Sequence, residues 1–530
     1  MAERITVGSI DYSLYLVTGR DLLPVGKDYL ETLEQSLQGG VTVVQIREKN
    51  ADTAEFLKIA LESQTICRRY KVPILINDRI DIALAIHADG VHLGQTDMPV
   101  SMARSLLPKG SIIGVSCNTK EHIQTAVEDG ADYVGIGAVW GTLTKALTSP
   151  IIGVRGVGEM LKSLDGTGVR AVAIGGIKST NALRTLHGTI STTGHALDGI
   201  AVVSDIMNSA DPLASARSLS STIRAFKSYS AQVPSASSVL SPEHTAESIK
   251  TSVSSLLGII KSLKPLVHQI TNTVVTNQSA NATLALGASP IMATASAEME
   301  DLSRVSGALL VNMGTVTDKE GMLLAGHHAN LHRKPIIFDP VGVGATTFRR
   351  TVANELLNAW QASVIKGNAG ELGALANSEE VKARGVDSVG KGFADPASFV
   401  KQLALKERCV IILTGITDYV SDGSTVIKLD NGHELLAHIT GSGCMVGTCV
   451  AVFCAAAAST VEVRTDKKLV DGDMLSGAIG GVLAVTVASE LAAARPDVFG
   501  PGTFLPALID ELYNLTPDKV IEQAKVEVIE

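Results

Sequence analysis

Eight short runs of apolar and β-branched residues recur through residues 1–227. They are LYLVT (14–18), VTVVQIRE (41–48), PILIND (73–78), GVHLG (90–94), IIGVSC (112–117), YVGIGAV (133–139), AVAIGGI (171–177) and GIAVVS (199–204). Helix-like segments such as 52–69, 119–130 and 211–227 complete the alternation. Near-continuous apolar runs are what parallel strands covered on both faces require. Eight strand–helix units in this length predict a TIM (β/α)8 barrel.

Polar residues collect at one end of these runs. Gln45, Arg47 and Lys49 alternate at the end of the second and share one strand face. Asn77, Asp78 and Arg79 end the third, Gln95 and Asp97 follow the fourth, and Ser116 ends the fifth. Thr142, Thr144 and Lys145 follow the sixth, Gly175 and Gly176 the seventh, and Ser204 ends the eighth. Singly, each reads equally well as an ion-pair partner, cap or turn residue. Together they mark the barrel face where active sites form. Arg47, Lys49 and Lys145 offer positive charge to an anion with several oxygens. Asp78 and Asp97 are oxygen ligands suited to Mg²⁺ beside a phosphate. The diglycine turn and the eighth strand end predict a second phosphate cradle. A magnesium diphosphate and a separate monophosphate point to a transferase that expels pyrophosphate.

QIREK, INDR, GVHLGQTD, GVSC, TLTK and AIGGI, in this order, resemble thiamin-phosphate synthase across the whole N-terminal half. The resemblance implies coupling of 4-amino-2-methyl-5-pyrimidylmethyl diphosphate to 4-methyl-5-(2-phosphooxyethyl)thiazole. It implies Mg²⁺ on Asp78 and Asp97. Gln45, Arg47, Lys49, Asn77, Ser116 and Lys145 then hold the pyrimidine diphosphate, with Lys145 catalytic. Thr142, Thr144, Gly176, Val203 and Ser204 hold the thiazole phosphate. Gly141 stands where bacterial relatives carry proline, a departure in the loop before Thr142.

Residues 228–245, SYSAQVPSASSVLSPEHT, are rich in Ser, Ala and Pro and predict a linker between domains 1–227 and 246–530. The second half alternates as well: VHQITN (267–272), GALLVNMG (307–314), PIIFDPVG (335–342), SVIKGN (363–368) and CVIILTG (409–415) read as strands. Helical stretches such as 275–286, 297–306 and 346–359 lie between them, which predicts an open α/β sheet with ligands at the carboxyl ends of its strands.

ITGSGCMVGTCVAVFC (439–454) opens a long apolar helix, and 475–489 forms another. Cys444, Cys449 and Cys454 recur every five residues, about 500° of helix rotation, so they share no ligand face. Both apolar runs are shorter than the about 20 residues a membrane span needs and predict closely packed buried helices. GSGC reads either as a tight strand-to-helix turn or as an anion hole, where Gly441 and Gly443 admit a ligand and Ser442 caps. Asn368 and Glu371 of GNAGE form an expected magnesium-nucleotide site, and Thr414 an expected phosphate contact.

ITNTVVTNQSANATLALGASPIMA, VNMGT, FDPVGVGAT, VIKGNAGEL, LTGITDYV and GSGCM resemble hydroxyethylthiazole kinase, of the ribokinase-like fold group, over about 255–525. The resemblance implies phosphorylation of the thiazole alcohol by ATP. Met292 and Gly441 then contact the thiazole, and Lys366 and Thr414 the ATP. Cys444, the expected catalytic residue, stands where the wider fold group places an aspartate base. Lys366 stands where bacterial kinases carry arginine. The family's trimeric habit implies a homo-oligomer. A kinase whose product is the synthase acceptor makes the two halves one bifunctional enzyme. The alternatives are a single live activity beside a scaffold, or a non-catalytic sensor of thiamin precursors.

A net charge of −9 lacks the basic footprint of a nucleic-acid binder, so the expected partners are small pyrimidine, thiazole and nucleotide molecules. The N-terminal residues carry no secretory or import pattern and the six cysteines fit no disulfide or zinc framework, which predicts a cytoplasmic location away from membranes.

Overall fold

The structure, a computed structural model, describes residues 10–142, 150–230, 244–384, 387–389, 392–461 and 469–529. The chain divides into two compact units, Met1–Ser235 and Ala236–Glu530. Most of the expected linker lies outside the described residues.

In the first unit, all eight expected strands form. They are β1 (Leu14–Val17), β2 (Val43–Ile46), β3 (Ile74–Asn77), β4 (Gly90–Leu93), β5 (Ile112–Cys117), β6 (Tyr133–Ile136), β7 (Arg170–Ile174) and β8 (Gly199–Val202). They pair in sequence order into a closed parallel barrel, β8 returning to β1. Strand alternation sorts the side chains. Leu14 and Leu16 of β1 join the shell packed under the helices, while Tyr15 and Val17 join Val43, Leu75, Ile112, Tyr133 and Val172 in the barrel interior. The helix Thr53–Arg69 begins where the Asp52 carboxylate accepts the Glu55 N–H, and Lys120–Glu128 where Thr119 accepts that of His122.

The second unit carries β9 (Leu266–Ile270), β10 (Ser289–Ile291), β11 (Ala308–Asn312), β12 (Ile336–Asp339) and β13 (Val364–Asn368). A small hairpin, β14 (Lys382–Arg384) and β15 (Asp387–Val389), precedes β16 (Val410–Thr414), β17 (Asp418–Ser421), β18 (Val426–Leu429) and β19 (Val526–Ile529). The sheet order is β10-β9-β11-β12-β13-β16-β17-β18-β19. From β10 to β16 neighbouring strands are parallel; from β16 to β19 they are antiparallel. This is the expected open, ribokinase-like sheet, extended by an antiparallel wing absent from the sequence reading.

The apolar helices Ser442–Ser459 and Met474–Ala493 are long and apolar enough to cross a membrane, yet 78% and 89% of their apolar windows are buried in the protein. Glycines bring them together. A Cβ on Gly480 would lie 2.4 Å from the Phe453 ring, and one on Gly481 2.3 Å from Val450 Cα. All six cysteines are buried thiols.

Candidate functional sites

The carboxyl ends of the barrel strands enclose a cavity of about 310 Å³. Gln45, Arg47, Lys49, Asn77, Asp78, Asp97, Ser116, Thr142, Gly176, Val203 and Ser204 all line it. Thr144 and Lys145 lie outside the described residues. Local folding sets the orientations. Glu48 is held by Arg20 at 2.9 Å, on the side chain alternate to Arg47 and Lys49. The Arg47 N–H donates to Thr18 Oγ1 at 3.0 Å, anchoring the loop after β2. Asp78 adopts the left-handed region, φ +62°, and its carboxylate pairs with Lys49. Asp97 turns back to accept the Gly94 N–H at 2.7 Å. Burial and the neighbouring Asp78 carboxylate push the Asp97 carboxyl above its ordinary range.

At the other end of the cavity, Gly175 and Gly176 have φ of +101° and +65°. A Cβ on Gly176 would lie 2.4 Å from Gly141 O, so the turn has room for no side chain. His92 and Asn118 also line the cavity and were not singled out in the sequence. His92 lies within β4, where an apolar run hides one inward polar side chain.

In the open sheet, six parallel strands end on one edge. Asn272 follows β9, Met292 follows β10, and Asn312, Asp339, Asn368 and Thr414 end β11, β12, β13 and β16. Lys366 Nζ lies 3.0 Å from Asp339 Oδ1, both side chains nearly inaccessible, and donates to Gly443 O at 3.1 Å. Asn312 Nδ2 donates to Asp339 Oδ2 at 2.8 Å and approaches Cys444 Sγ at 3.3 Å. Asn272 Nδ2 reaches the same sulfur at 3.6 Å. Asp339, Asn272 and Asn312 were passed over as candidates. Their signal was the one used in the barrel, a polar residue closing an apolar run.

Burial opposes the charge on Lys366, but Asp339 and Glu371 outweigh it and hold the ammonium above its ordinary value. Burial pushes Glu371 up to about 7, with Lys366 opposing. Asp339 is also pushed up by burial, against Lys366. Two acids share one base here. The Asp339–Lys366 contact is an ion pair, and Lys366 opposes the rise of both acids. Glu371 is also a capping residue. It accepts the Asn368 N–H at 2.9 Å and the Gly342 N–H at 3.1 Å.

The turn into the helix Ser442–Ser459 differs in detail from the expectation. Gly441, not Ser442, is the N-cap, at φ +77°, and no side chain caps the first turn. The left-handed requirement therefore falls on Gly441, while Gly443 is helical. Burial, then Asp339, raises the Cys444 thiol, outweighing Lys366 and the two asparagine amides. The thiol is thus protonated at neutral pH. Gly441 packs against Val275 and Gln278, and Met292 stands half-buried beyond the edge strand β10. Thr414 pairs in register with Asn368.

A closed barrel with a cationic, carboxylate-bearing cavity, followed by an open sheet with an uncapped helix start, defines a two-domain α/β protein with a polar site in each domain. Residues 14–206 match the family model described as thiamine monophosphate synthase, and residues 257–518 that of the hydroxyethylthiazole kinase family. A probable thiamine biosynthetic bifunctional enzyme from Schizosaccharomyces pombe is 39% identical, covering 98% of this chain and 99% of the relative. A thiamine biosynthetic bifunctional enzyme from Saccharomyces cerevisiae is 37% identical, covering 96% of each. A hydroxyethylthiazole kinase from Desulforudis audaxviator is 43% identical, covering 51% of this chain and 93% of its own. The chain belongs to the thiamine biosynthetic bifunctional enzymes, a thiamine-phosphate synthase domain preceding a hydroxyethylthiazole kinase domain.

Proposed function

We infer that the second domain transfers the ATP γ-phosphoryl group to 4-methyl-5-(2-hydroxyethyl)thiazole, and that the barrel joins the product to 4-amino-2-methyl-5-pyrimidylmethyl diphosphate. The observation that carries this reading is the barrel cavity, cationic and carboxylate-bearing at one end and closed by a diglycine turn at the other. Arg47 and Lys49 face the diphosphate, with Gln45, Asn77 and Ser116 around the pyrimidine and Lys145 completing the set. Gly176, Val203, Ser204, Thr142 and Thr144 take the thiazole phosphate. Preorganised positive charge at the leaving group is the main catalytic term.

Asp78 and Asp97 fit Mg²⁺: they are neighbouring carboxylates, and a divalent cation relieves the repulsion that raises Asp97. Bound there, the ion supplies charge to neutralise the departing pyrophosphate. In the kinase, Glu371 is the acid for the metal, Lys366 and Thr414 serve ATP, and Met292 and Gly441 serve the thiazole. The uncapped N–H groups at Ser442–Cys444 face the transferred phosphoryl group. Cys444 positions the alcohol as a neutral thiol. The protein is a homo-oligomer built on a kinase-domain trimer in this reading. Burial of both apolar helices supports their packing inside the domain rather than in a membrane.

The test supplies the full chain with thiazole alcohol, ATP, Mg²⁺ and pyrimidine diphosphate, and follows thiamin phosphate and pyrophosphate. Omitting ATP should stop both products, and thiazole phosphate should restore them. Failure of that bypass would refute the order of the two steps.

A further inference from the structure

A line of four side chains runs from the closed barrel interior to its cavity. The Tyr15 and Tyr133 hydroxyls lie 2.7 Å apart. Tyr133 Oη lies 2.8 Å from His92 Nδ1, and His92 Nε2 lies 2.9 Å from Ser116 Oγ. Tyr15 and Tyr133 are 1% and 0% exposed, whereas His92 and Ser116 line the cavity. The barrel is shaped around this line. A Cβ on Gly114 would lie 2.0 Å from Tyr133 Cζ, and one on Gly135 3.3 Å from His92 Cε1.

The line has a direction. A neutral imidazole offers one donor and one acceptor. Among the described residues, the hydrogen-bond partner of the Tyr15 hydroxyl is Tyr133. A buried phenol left without an acceptor is costly, so Tyr15 donates to Tyr133. The Tyr133 hydrogen then goes to His92 Nδ1. Nε2 carries the imidazole proton and donates to Ser116 Oγ. With its oxygen accepting, the Ser116 hydroxyl turns its own hydrogen toward the cavity. The opposite direction would leave the Tyr15 hydrogen in the barrel core with no acceptor.

We propose that Tyr133 is a positioning residue of the synthase site: through His92 it fixes Ser116 as a hydrogen-bond donor, so that Ser116 selects an acceptor atom on the substrate, such as a pyrimidine ring nitrogen. This rests on reading Ser116 as a pyrimidine contact. An amino group presented to the same hydroxyl would leave the Ser116 hydrogen without an acceptor, so a ring nitrogen is favoured there.

The test uses the full chain with ¹⁵N-labelled histidine. The chain has twelve histidines, and the His92 nitrogens are assigned by their loss in His92→Gln. In the wild type Nε2 should carry the proton and Nδ1 should be bare. Tyr133→Phe should erase that preference. It should raise KM for the pyrimidine diphosphate about tenfold while sparing KM for thiazole phosphate and the kinase rate. Tyr15→Phe should have a smaller effect, because Tyr133 can still donate to His92. A wild-type proton on Nδ1 overturns the proposal, as does an equal rise in both synthase KM values. Should Tyr133→Phe fail to fold, the wild-type tautomer still decides the direction. Ser116→Ala separates the two readings. Unchanged pyrimidine affinity there would overturn the Ser116 assignment and, with it, the selection of an acceptor.

Discussion

Gly441 and Gly443 are two residues apart and do different work. Gly441 sits at φ +77°, and a Cβ there would lie 2.3 Å from Val275 Cγ1 and 2.9 Å from Gln278 Oε1. Gly443 is helical, and among the described residues its Cβ would meet only Lys366 Nζ, at 3.4 Å. Gly441→Ala should therefore destabilise the kinase domain by about 2 kcal/mol or more, from left-handed strain plus overlap. Gly443→Ala should leave stability level or raise it by up to about 1 kcal/mol, as alanine does in a helix. Kinase loss in Gly443→Ala at unchanged stability then reports crowding at the phosphoryl site, against the phosphoryl group or Lys366. Thermal unfolding beside a kinase assay separates the two; a larger stability loss at Gly443 would contradict the assignment. At this scale the sequence was a partial guide. It identified cavity residues such as Arg47 and Asp97, because a polar residue at the end of an apolar run stands out. It missed His92 and Asp339, one hidden inside a strand run and the other inside a motif read as a whole. It also could not assign the left-handed φ, since either glycine satisfies the pattern GSG.

At the scale of elements, the barrel strands were legible because parallel strands covered on both faces read as continuous apolar runs. The antiparallel wing was not. β17 opens with Asp418 and β18, VIKL, carries a lysine, so neither reads as a continuous apolar run; in the parallel part, β10 contains Pro290. Asp418 has a consequence of its own. It is buried, its Oδ1 accepts the Gly415 N–H at 2.9 Å, and burial pushes its carboxyl up to about 7. A folded-state value above the unfolded one gives stability that is full below about pH 4 and is lost as pH rises through about 7. Asp418→Asn keeps an oxygen for Gly415 and removes the titration. It should flatten the stability–pH curve of the kinase domain and raise stability above pH 8 by on the order of 1 kcal/mol. Melting curves between pH 4 and 9 would show it, and a mutant curve parallel to the wild type would rule it out.

At the scale of the whole molecule, every strand pairing among the described residues closes within one unit. The barrel joins β8 to β1, and the open sheet runs from β10 to β19 with the C-terminal strand at its edge. Each unit has its own apolar core. Leu16, Ile46, Ile76 and Val134 are among the buried residues of the first, and Val450, Phe453, Ile479 and Leu483 of the second. Such units fold from their own contacts. The second also needs its last residues, because Val526–Ile529 pair with β18 and Val520 is buried under the sheet's apolar helices. Residues 1–235 and 236–530, expressed separately, should each melt as one cooperative transition. The first should form thiamin phosphate from ready-made thiazole phosphate and the second should phosphorylate the thiazole alcohol, each within about threefold of the full chain. Removing residues 524–530 should cost the second piece stability and kinase activity, and the same truncation of the full chain should leave its synthase activity unaffected. An inactive isolated barrel beside an active full-length synthase would show that the first unit depends on the second.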